Sequence, residues 1–208
     1  MNRIDSDLLV VGDLNGNLEL LQKIIEVAKD KILVLLGDVL GKENAQEIHT
    51  LYQKKNVFII KGNQDQKLIN HNMISPYWNV LPTFITFVFP NQNKVSVVHG
   101  GISPKHKWKD IYSQELIYIR TLDGNNNPVP LKWNNNKLEP IRPGVSWHQK
   151  YDGRFGYVIS SHGTEESGIK HYLHSCSVNS RYHKTGKLLG QIVLSNGTLG
   201  DCIQICNI

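Results

Sequence analysis

Short apolar runs in the first third of the chain alternate with helical patterns. The runs lie at Asp7–Val11, Ile32–Leu36 and Val57–Ile60, and each is bounded by glycine or polar residues, as a buried strand would be. Between them, apolar residues recur three and four positions apart in segments that begin at Leu18 and Glu43, which is the period of an amphipathic helix. Strand–loop–helix units in series predict a parallel sheet.

An aspartate or asparagine follows each of these runs within three residues. Because the carboxyl ends of parallel strands meet at one edge of a sheet, these side chains are expected to converge there. A carboxylate buried at such an edge needs a partner, so we predict that Asp38 lies between two metal ions. The three motifs are Gly12-Asp13-Leu14-Asn15-Gly16, Gly37-Asp38-Val39-Leu40-Gly41 and Gly62-Asn63-Gln64-Asp65.

The second half of the chain is richer in β-branched and aromatic alternation, which is typical of half-buried strands. Two of its predicted strands end in histidine and glycine, at His99-Gly100-Gly101 and at His162-Gly163. This half is expected to be largely antiparallel, with a helix over Asp110–Ile119. The predicted strands are Thr83–Phe89, Lys94–Val98, Phe155–Ser160, His171–Ser175, Leu188–Leu194 and Cys202–Ile208.

The length of 208 residues predicts a single domain over residues 1–208, which is enough chain for a substantial core. One stretch departs from the periodic patterns. Thr121–Gly144 is rich in asparagine, proline and glycine, so we expect it to be a surface insertion.

Composition and charge narrow the classes of partner. The chain has 40% hydrophobic and 20% charged residues, no apolar stretch near the roughly 20 residues that span a bilayer, and a polar start unlike a signal peptide. A cytoplasmic, intracellular protein without a membrane partner is therefore expected. The net charge of +5 suits an anionic partner, and no DNA- or RNA-binding motif is present.

Taken together, the five motifs resemble those of the calcineurin-like metallophosphoesterases, and within them the phosphoprotein phosphatases and their small bacterial and phage relatives. His99–Pro104, with the sequence HGGISP, is the most specific segment, and Arg142–Trp147 and Ile159–Glu166 extend the resemblance. It covers about Leu8 to Leu194. The resemblance implies an α/β fold, a β-sandwich flanked by helices, with two divalent ions at the strand ends.

The resemblance also implies a ligand set. Asp38 would bridge the two ions, and mixed oxygen and nitrogen ligands suit manganese, with iron or zinc as alternatives. Two such ions would share a hydroxide that attacks phosphorus in line. Lys42 and Arg142 match positions at which the family binds substrate phosphate. Asp13 and Asn15 would hold the first ion, and Asn63, His99 and His162 would complete the second.

Three residues depart from the family pattern. Asn15 stands where the family has a histidine ligand, and Gln64 stands where it has a histidine that protonates the leaving oxygen. The aspartate that supports this acid is replaced by Gly41. Glutamine cannot act as an acid near neutral pH, and loss of a general acid costs about 10²–10⁴-fold in rate. His106 or His148 is a hypothetical replacement acid.

Three functions remain open at this point. The first is a metal-dependent serine/threonine protein phosphatase acting on a phosphoprotein, which the HGGISP motif and Arg142 favour. The second is a hydrolase of dinucleoside polyphosphates or a phosphodiesterase, with a nucleotide as the anionic substrate. The third is a phosphatase-like binding module without turnover, which Asn15, Gln64 and Gly41 favour.

Overall fold

One of two facing β-sheets contains the predicted parallel strands. The computed structural model describes residues 1–41, 43–111, 113–134, 137–162, 168–180 and 185–207. In this sheet, two C-terminal strands pair antiparallel with each other, and one of them also pairs antiparallel with the first of the parallel strands. The order β15-β14-β2-β3-β4 comprises β2 (Leu8–Val11), β3 (Ile32–Leu35), β4 (Val57–Ile59), β14 (Lys187–Val193) and β15 (Leu199–Asn207).

The other sheet has six strands, and it differs from the expected antiparallel arrangement. Its central strand β11 runs parallel to both of its neighbours. The expected strand His171–Ser175 is wrong, because this stretch contains the turn that joins two antiparallel strands. The order β1-β5-β6-β11-β13-β12 comprises β1 (Asn2–Arg3), β5 (Phe84–Val88), β6 (Lys94–Val98), β11 (Tyr157–Ser160), β12 (Gly168–His171) and β13 (Ser175–Asn179).

Side chains of β2 show how the two sheets divide the core. All four residues of this strand are buried. Leu8 and Val10 pack between the sheets against residues such as Phe87 of β5, whereas Leu9 and Val11 pack under the helices. A strand covered on both faces explains the uninterrupted apolar run in the sequence.

Helices cover the outer face of the five-stranded sheet. Asn17 caps the first of them by accepting a hydrogen bond from the Leu20 N–H at 3.0 Å. The third begins at Asn63, inside the motif Gly62-Asn63-Gln64-Asp65. The helices are α1 (Leu18–Ala28), α2 (Ala45–Tyr52), α3 (Asn63–Asn70) and a short α4 (Trp147–Lys150) on the other side of the molecule. This arrangement confirms the predicted sandwich flanked by helices.

The predicted helix over Asp110–Ile119 is wrong. The segment forms two short 3₁₀ turns, Trp108–Asp110 and Gln114–Ile117, and Ser113 caps the second turn through its hydroxyl. Leu116 and Ile119 pack with Trp147 on the outer face of the six-stranded sheet. No helix within the described ranges has both the length and the apolar character that crossing a bilayer requires.

The expected surface insertion over residues 121–144 contains a β-hairpin and is anchored in the core. Leu122 and Val129 are buried, and β7 (Thr121–Leu122) pairs with β10 (Val145–Ser146). The hairpin consists of β8 (Leu131–Asn134) and β9 (Lys137–Pro140). That residues 1–208 form one domain stays a prediction.

Candidate metal centre

Three side chains from both sheets converge where the strands end. Asp38 follows β3, His99 follows β6 and His162 follows β11. Each offers one ligand atom, and these atoms all lie within 4.8 Å of one another. The imidazole rings of His99 and His162 stack at a centroid separation of 4.7 Å. Asp38 and His99 are buried, so the cluster has little water to solvate its charges.

Hydrogen bonding fixes the tautomer of His99. Its Nδ1 lies 2.7 Å from the Leu36 carbonyl oxygen, which can only accept, so Nδ1 carries the proton and Nε2 keeps its lone pair. Ser161 supports this arrangement, with its hydroxyl 3.1 Å from both the Leu36 oxygen and Nδ1. His99 is therefore oriented as a metal ligand would be.

The surroundings of His99 Nε2 fit a cation. This atom lies 2.9 Å from Asn63 Oδ1 and 3.5 Å from Asp38 Oδ2, so electron pairs face one another. Asn63 Nδ2 is buried without a hydrogen-bond partner. Rotating the Asn63 amide by 180° would give its nitrogen a hydrogen-bond partner but would leave its oxygen without one. A divalent ion between these atoms would remove the repulsion, and imidazole, amide and carboxylate together suit manganese, iron or zinc.

Asp13 contributes a second buried polar atom without a hydrogen-bond partner. Its Oδ1 is buried without a hydrogen-bond partner and lies 3.9 Å from His99 Nδ1. Burial raises the pKa of Asp13 to about 6. Burial also raises the pKa of Asp38 well above its usual range, and the nearby carboxylate of Asp65 adds to the effect. Such shifts mark carboxylates that lack a compensating positive charge.

Backbone geometry at the strand ends explains the residue types found there. Asp13 and Asp38 have φ values of 54° and 52°, in the left-handed region that aspartate and asparagine tolerate better than most residues. A β-carbon added at Gly62 would meet Asp38 Oδ1 at 2.1 Å. Glycine at this position lets the loop after β4 approach the Asp38 carboxylate.

Asp65 is a functional residue that sequence reasoning named only as part of a motif. Its carboxylate accepts hydrogen bonds from four backbone N–H groups at 2.9–3.0 Å, those of Asp38, Val39, Leu40 and Gly62. It therefore holds the loop after β3 against the start of α3. The signal was available, because an acidic residue three positions after the N-cap Gly62 forms half of a capping box.

Arg120 was missed altogether. Its Nε donates a hydrogen bond to His162 Nε2 and its Nη1 donates to the Leu138 carbonyl of β9. Its positive charge also lowers the pKa of Asp38, against the larger effect of burial. Coordination through His162 Nε2 would require the guanidinium to leave that lone pair. No motif marks Arg120 in the sequence, because it lies in an irregular segment after a 3₁₀ turn.

The remaining predicted site residues lie less centrally. Asn15 is exposed, and its backbone N–H donates to the Asp38 carbonyl at 2.6 Å while its side-chain amide contacts the Asp13 carbonyl. Arg142 is exposed and pairs with Asp123 at 3.0 Å. The metal role of Asn15 and the phosphate role of Arg142 stay predictions. Lys42 lies outside the described residues, as do residues 163–167.

The two histidines considered as replacement acids are engaged elsewhere. His148 is buried, with Nδ1 2.9 Å from the Ser175 hydroxyl and Nε2 3.2 Å from the Ser160 hydroxyl. His106 accepts a hydrogen bond from the Ser103 N–H and faces Glu115 at 3.5 Å. These contacts give no support to either histidine as the acid.

Metal binding is expected to stabilise the protein more at pH 7.5 than at pH 5. The pKa of Asp13 rises from 3.8 to about 6 in the folded chain, so its carboxyl favours folding below pH 3.8 and loses that contribution as the pH rises through about 6. Burial lowers the pKa of His99 below 6.5. This group therefore makes folding more favourable as the pH rises from its folded pKa to 6.5. A cation requires both groups deprotonated, so its stabilisation grows with pH.

Thermal unfolding with and without manganese at several pH values measures this difference. A manganese-induced rise in Tm that is equal at pH 5 and pH 7.5 would contradict the prediction. Magnesium at the same concentration is the control, since a site of this donor set binds it weakly.

Comparisons with known proteins agree with this geometry. Residues 7–175 match the model of the calcineurin-like phosphoesterase family. No curated protein shows significant sequence similarity to the chain. A solved structure named as a "putative diadenosine tetraphosphatase" is 19% identical, with 98% of this chain and 97% of the other covered and a TM-score of 0.66. The cold-active protein-tyrosine phosphatase of a Shewanella species is 13% identical over 98% and 81% of the two chains, with a TM-score of 0.52. The chain therefore belongs to the calcineurin-like phosphoesterase family.

Proposed function

We propose that the protein is a metal-dependent hydrolase whose preferred substrates are phosphoric anhydrides, such as dinucleoside polyphosphates, and aryl phosphate monoesters. The observation that carries the proposal is the imidazole lone pair of His99, which faces oxygens of Asp38 and Asn63 at 3.5 and 2.9 Å. This arrangement fits a cation. Family membership supports the hydrolysis of phosphoesters.

Several residues of the site would take part in this chemistry. A bound divalent ion supplies an acidified water and neutralises charge on a phosphoryl group. Asp13, Asp38, Asn63, His99 and His162 would hold two such ions, with Asn15 as a further ligand of the first. Asp65 keeps the loop that carries Asp38 in place. Arg120 puts a guanidinium beside His162, where it can pair with phosphoryl oxygens.

The preference for anhydrides and aryl esters follows from position 64. The Gln64 backbone N–H donates to Asp38 Oδ1 at 2.7 Å, so its side chain starts at the site but cannot protonate a leaving group. A phosphate or phenolate departs without full protonation, whereas the alkoxide of serine does not. Good leaving groups therefore suit this site better than phosphoserine.

A serine/threonine protein phosphatase is the second candidate. The HGGISP motif and Arg142 favour it, and the net charge of +5 suits a phosphoprotein. The solved structure named as a "putative diadenosine tetraphosphatase" makes the nucleotide anhydride the first substrate to try. Manganese is the first metal to try, with iron and zinc next.

Rates on four substrates in manganese test the proposal. Diadenosine tetraphosphate and para-nitrophenyl phosphate are expected to react at least about 100-fold faster than a phosphoserine peptide, the lower bound of what a general acid supplies. Bis(para-nitrophenyl) phosphate tests for diesterase activity. A faster rate on the phosphoserine peptide would favour the second candidate. No turnover of any substrate, with no metal retained after dialysis, would favour a binding module.

A further inference from the structure

The segment after the second 3₁₀ turn brings Tyr118 to the metal centre. Gly100, directly after His99, packs so closely on this segment that an added β-carbon would meet the Leu116 carbonyl oxygen at 2.5 Å. The Gly101 N–H donates to the same oxygen at 3.0 Å. The segment is thus fixed to the HGG motif just before Tyr118.

Burial alternates along the same segment. Ile117 and Ile119 are buried, whereas Tyr118 and Arg120 are partly exposed. Arg120 contacts the candidate ligand His162, so the partly exposed side of this segment faces the metal centre. Two contacts attach this segment to the site, one on each side of Tyr118. Leu116 packs against Gly100, and Arg120 contacts His162.

The phenol of Tyr118 has the features of a group that meets a substrate. Its hydroxyl makes no hydrogen bond to any described residue, although the ring is half-buried. Burial raises the pKa of Tyr118, and the negative charge of Asp38 raises it further. The hydroxyl therefore stays protonated and available as a donor near neutral pH.

We propose that the Tyr118 hydroxyl donates its hydrogen bond, and in the transition state its proton, to the leaving oxygen of the substrate. This inference rests on the proposed function. As water adds to phosphorus and the bond from phosphorus to the leaving oxygen breaks, that oxygen takes the phenol proton, and solvent water then reprotonates the phenolate. A phenol is a weaker acid than imidazolium, so Tyr118 assists departure without fully replacing the family histidine absent at Gln64.

Tyr118→Phe tests the role, because it removes only the hydroxyl. For phenyl phosphate, whose phenolate is a poorer leaving group than para-nitrophenolate, kcat is expected to fall about 10- to 100-fold, within the range of acid catalysis. For para-nitrophenyl phosphate it is expected to fall less than about threefold, because this leaving group needs little protonation. The matched control is Tyr77→Phe, the same change at an exposed tyrosine that packs on His49 and Trp78; it should leave both rates unchanged.

Two further measurements separate a chemical role from a structural one. Manganese-induced stabilisation of Tyr118→Phe is expected to equal that of the wild type, since the hydroxyl bonds no described residue. Gln64→His added to Tyr118→Phe is expected to restore most of the rate on phenyl phosphate, because it returns an acid to the family position. Equal losses on both esters, or no loss on either, would overturn the proposal.

A folding failure of the phenylalanine variant would not end the test. Fluorotyrosine incorporated at position 118 keeps the ring and makes the phenol more acidic, so the ratio of the phenyl to the para-nitrophenyl rate should rise. An unchanged ratio overturns the proposal. A wild-type protein inactive on every ester would instead remove the proposed function itself, which distinguishes the two failures.

Discussion

Asp38→Asn is expected to abolish metal-dependent turnover, with a fall in kcat/KM on the order of 10³-fold or more. Asp38 offers a carboxylate oxygen that lies within 4.8 Å of the ligand atoms of His99 and His162. Replacing it by an amide removes the negative charge that holds a divalent ion, and the ion supplies several kcal/mol of transition-state stabilisation. Turnover of para-nitrophenyl phosphate and metal content after dialysis measure both effects.

The same variant should fold at least as well as the wild type without metal. Burial raises the pKa of Asp38, so its charged form is a cost to the metal-free fold that an amide avoids. Asparagine can also accept the hydrogen bond from the Gln64 N–H. The matched control is Asp152→Asn, which removes an exposed carboxylate paired with Arg154 and should leave activity and metal content unchanged. Wild-type turnover in Asp38→Asn would contradict the proposed function.

Asp65→Ala is expected to lower the free energy of unfolding by about 3–5 kcal/mol. The substitution leaves four buried backbone N–H groups without an acceptor, and each unsatisfied group is costly. A loss of this size is a large part of the total stability of a domain, about 5–15 kcal/mol. Urea denaturation of the metal-free protein measures it.

Asp110→Ala is the control for Asp65→Ala. Asp110 also accepts a backbone N–H from the residue three positions before it, that of Lys107 at 2.8 Å, but it makes this one bond at the surface. Its removal should cost about 1 kcal/mol, as for an ordinary helix cap. If the two variants lose equal stability, Asp65 has no special role in holding the loop after β3.

The sequence was informative wherever a ligand follows a readable strand. The apolar runs before Asp38, His99 and His162 could be recognised as strands. The strand-end argument covered Asp38, whereas the convergence of His99 and His162 with it was implied by the resemblance to the family, since the three residues follow strands of two different sheets. The glycine and aspartate types at the strand ends also reflect local backbone geometry, since Asp13 and Asp38 are left-handed.

Site residues in irregular segments could not be predicted in this way. Arg120 and Tyr118 lie in a stretch whose apolar spacing resembles that of a helix, yet it folds as 3₁₀ turns because Leu116 and Ile119 pack on a sheet and not along one helix face. Because a helix was predicted here, neither residue was recognised as part of the site. Ser161 was overlooked for another reason: its hydroxyl contacts His99 only because distant strands become neighbours in the sheet.

The parallel pairing of β11 with β6 and β13 could not be predicted from the sequence either. The pattern of β11 identifies a strand but not its direction, and direction depends on the long connection from β6, which crosses the outer face of the sheet before returning. Side-chain alternation is the same in parallel and antiparallel strands of a half-buried sheet, so only the connection distinguishes them.

The position of β11 between β6 and β13 has a consequence for synthesis of the chain. Asp38 leaves the ribosome early, whereas His162 follows a strand that completes its pairing only after β13 has emerged. Under the proposed function, an ion held by all three ligands would therefore be captured late, after translation has passed most of the chain. Protein produced without added divalent metal should accordingly be full-length and able to bind the metal afterwards.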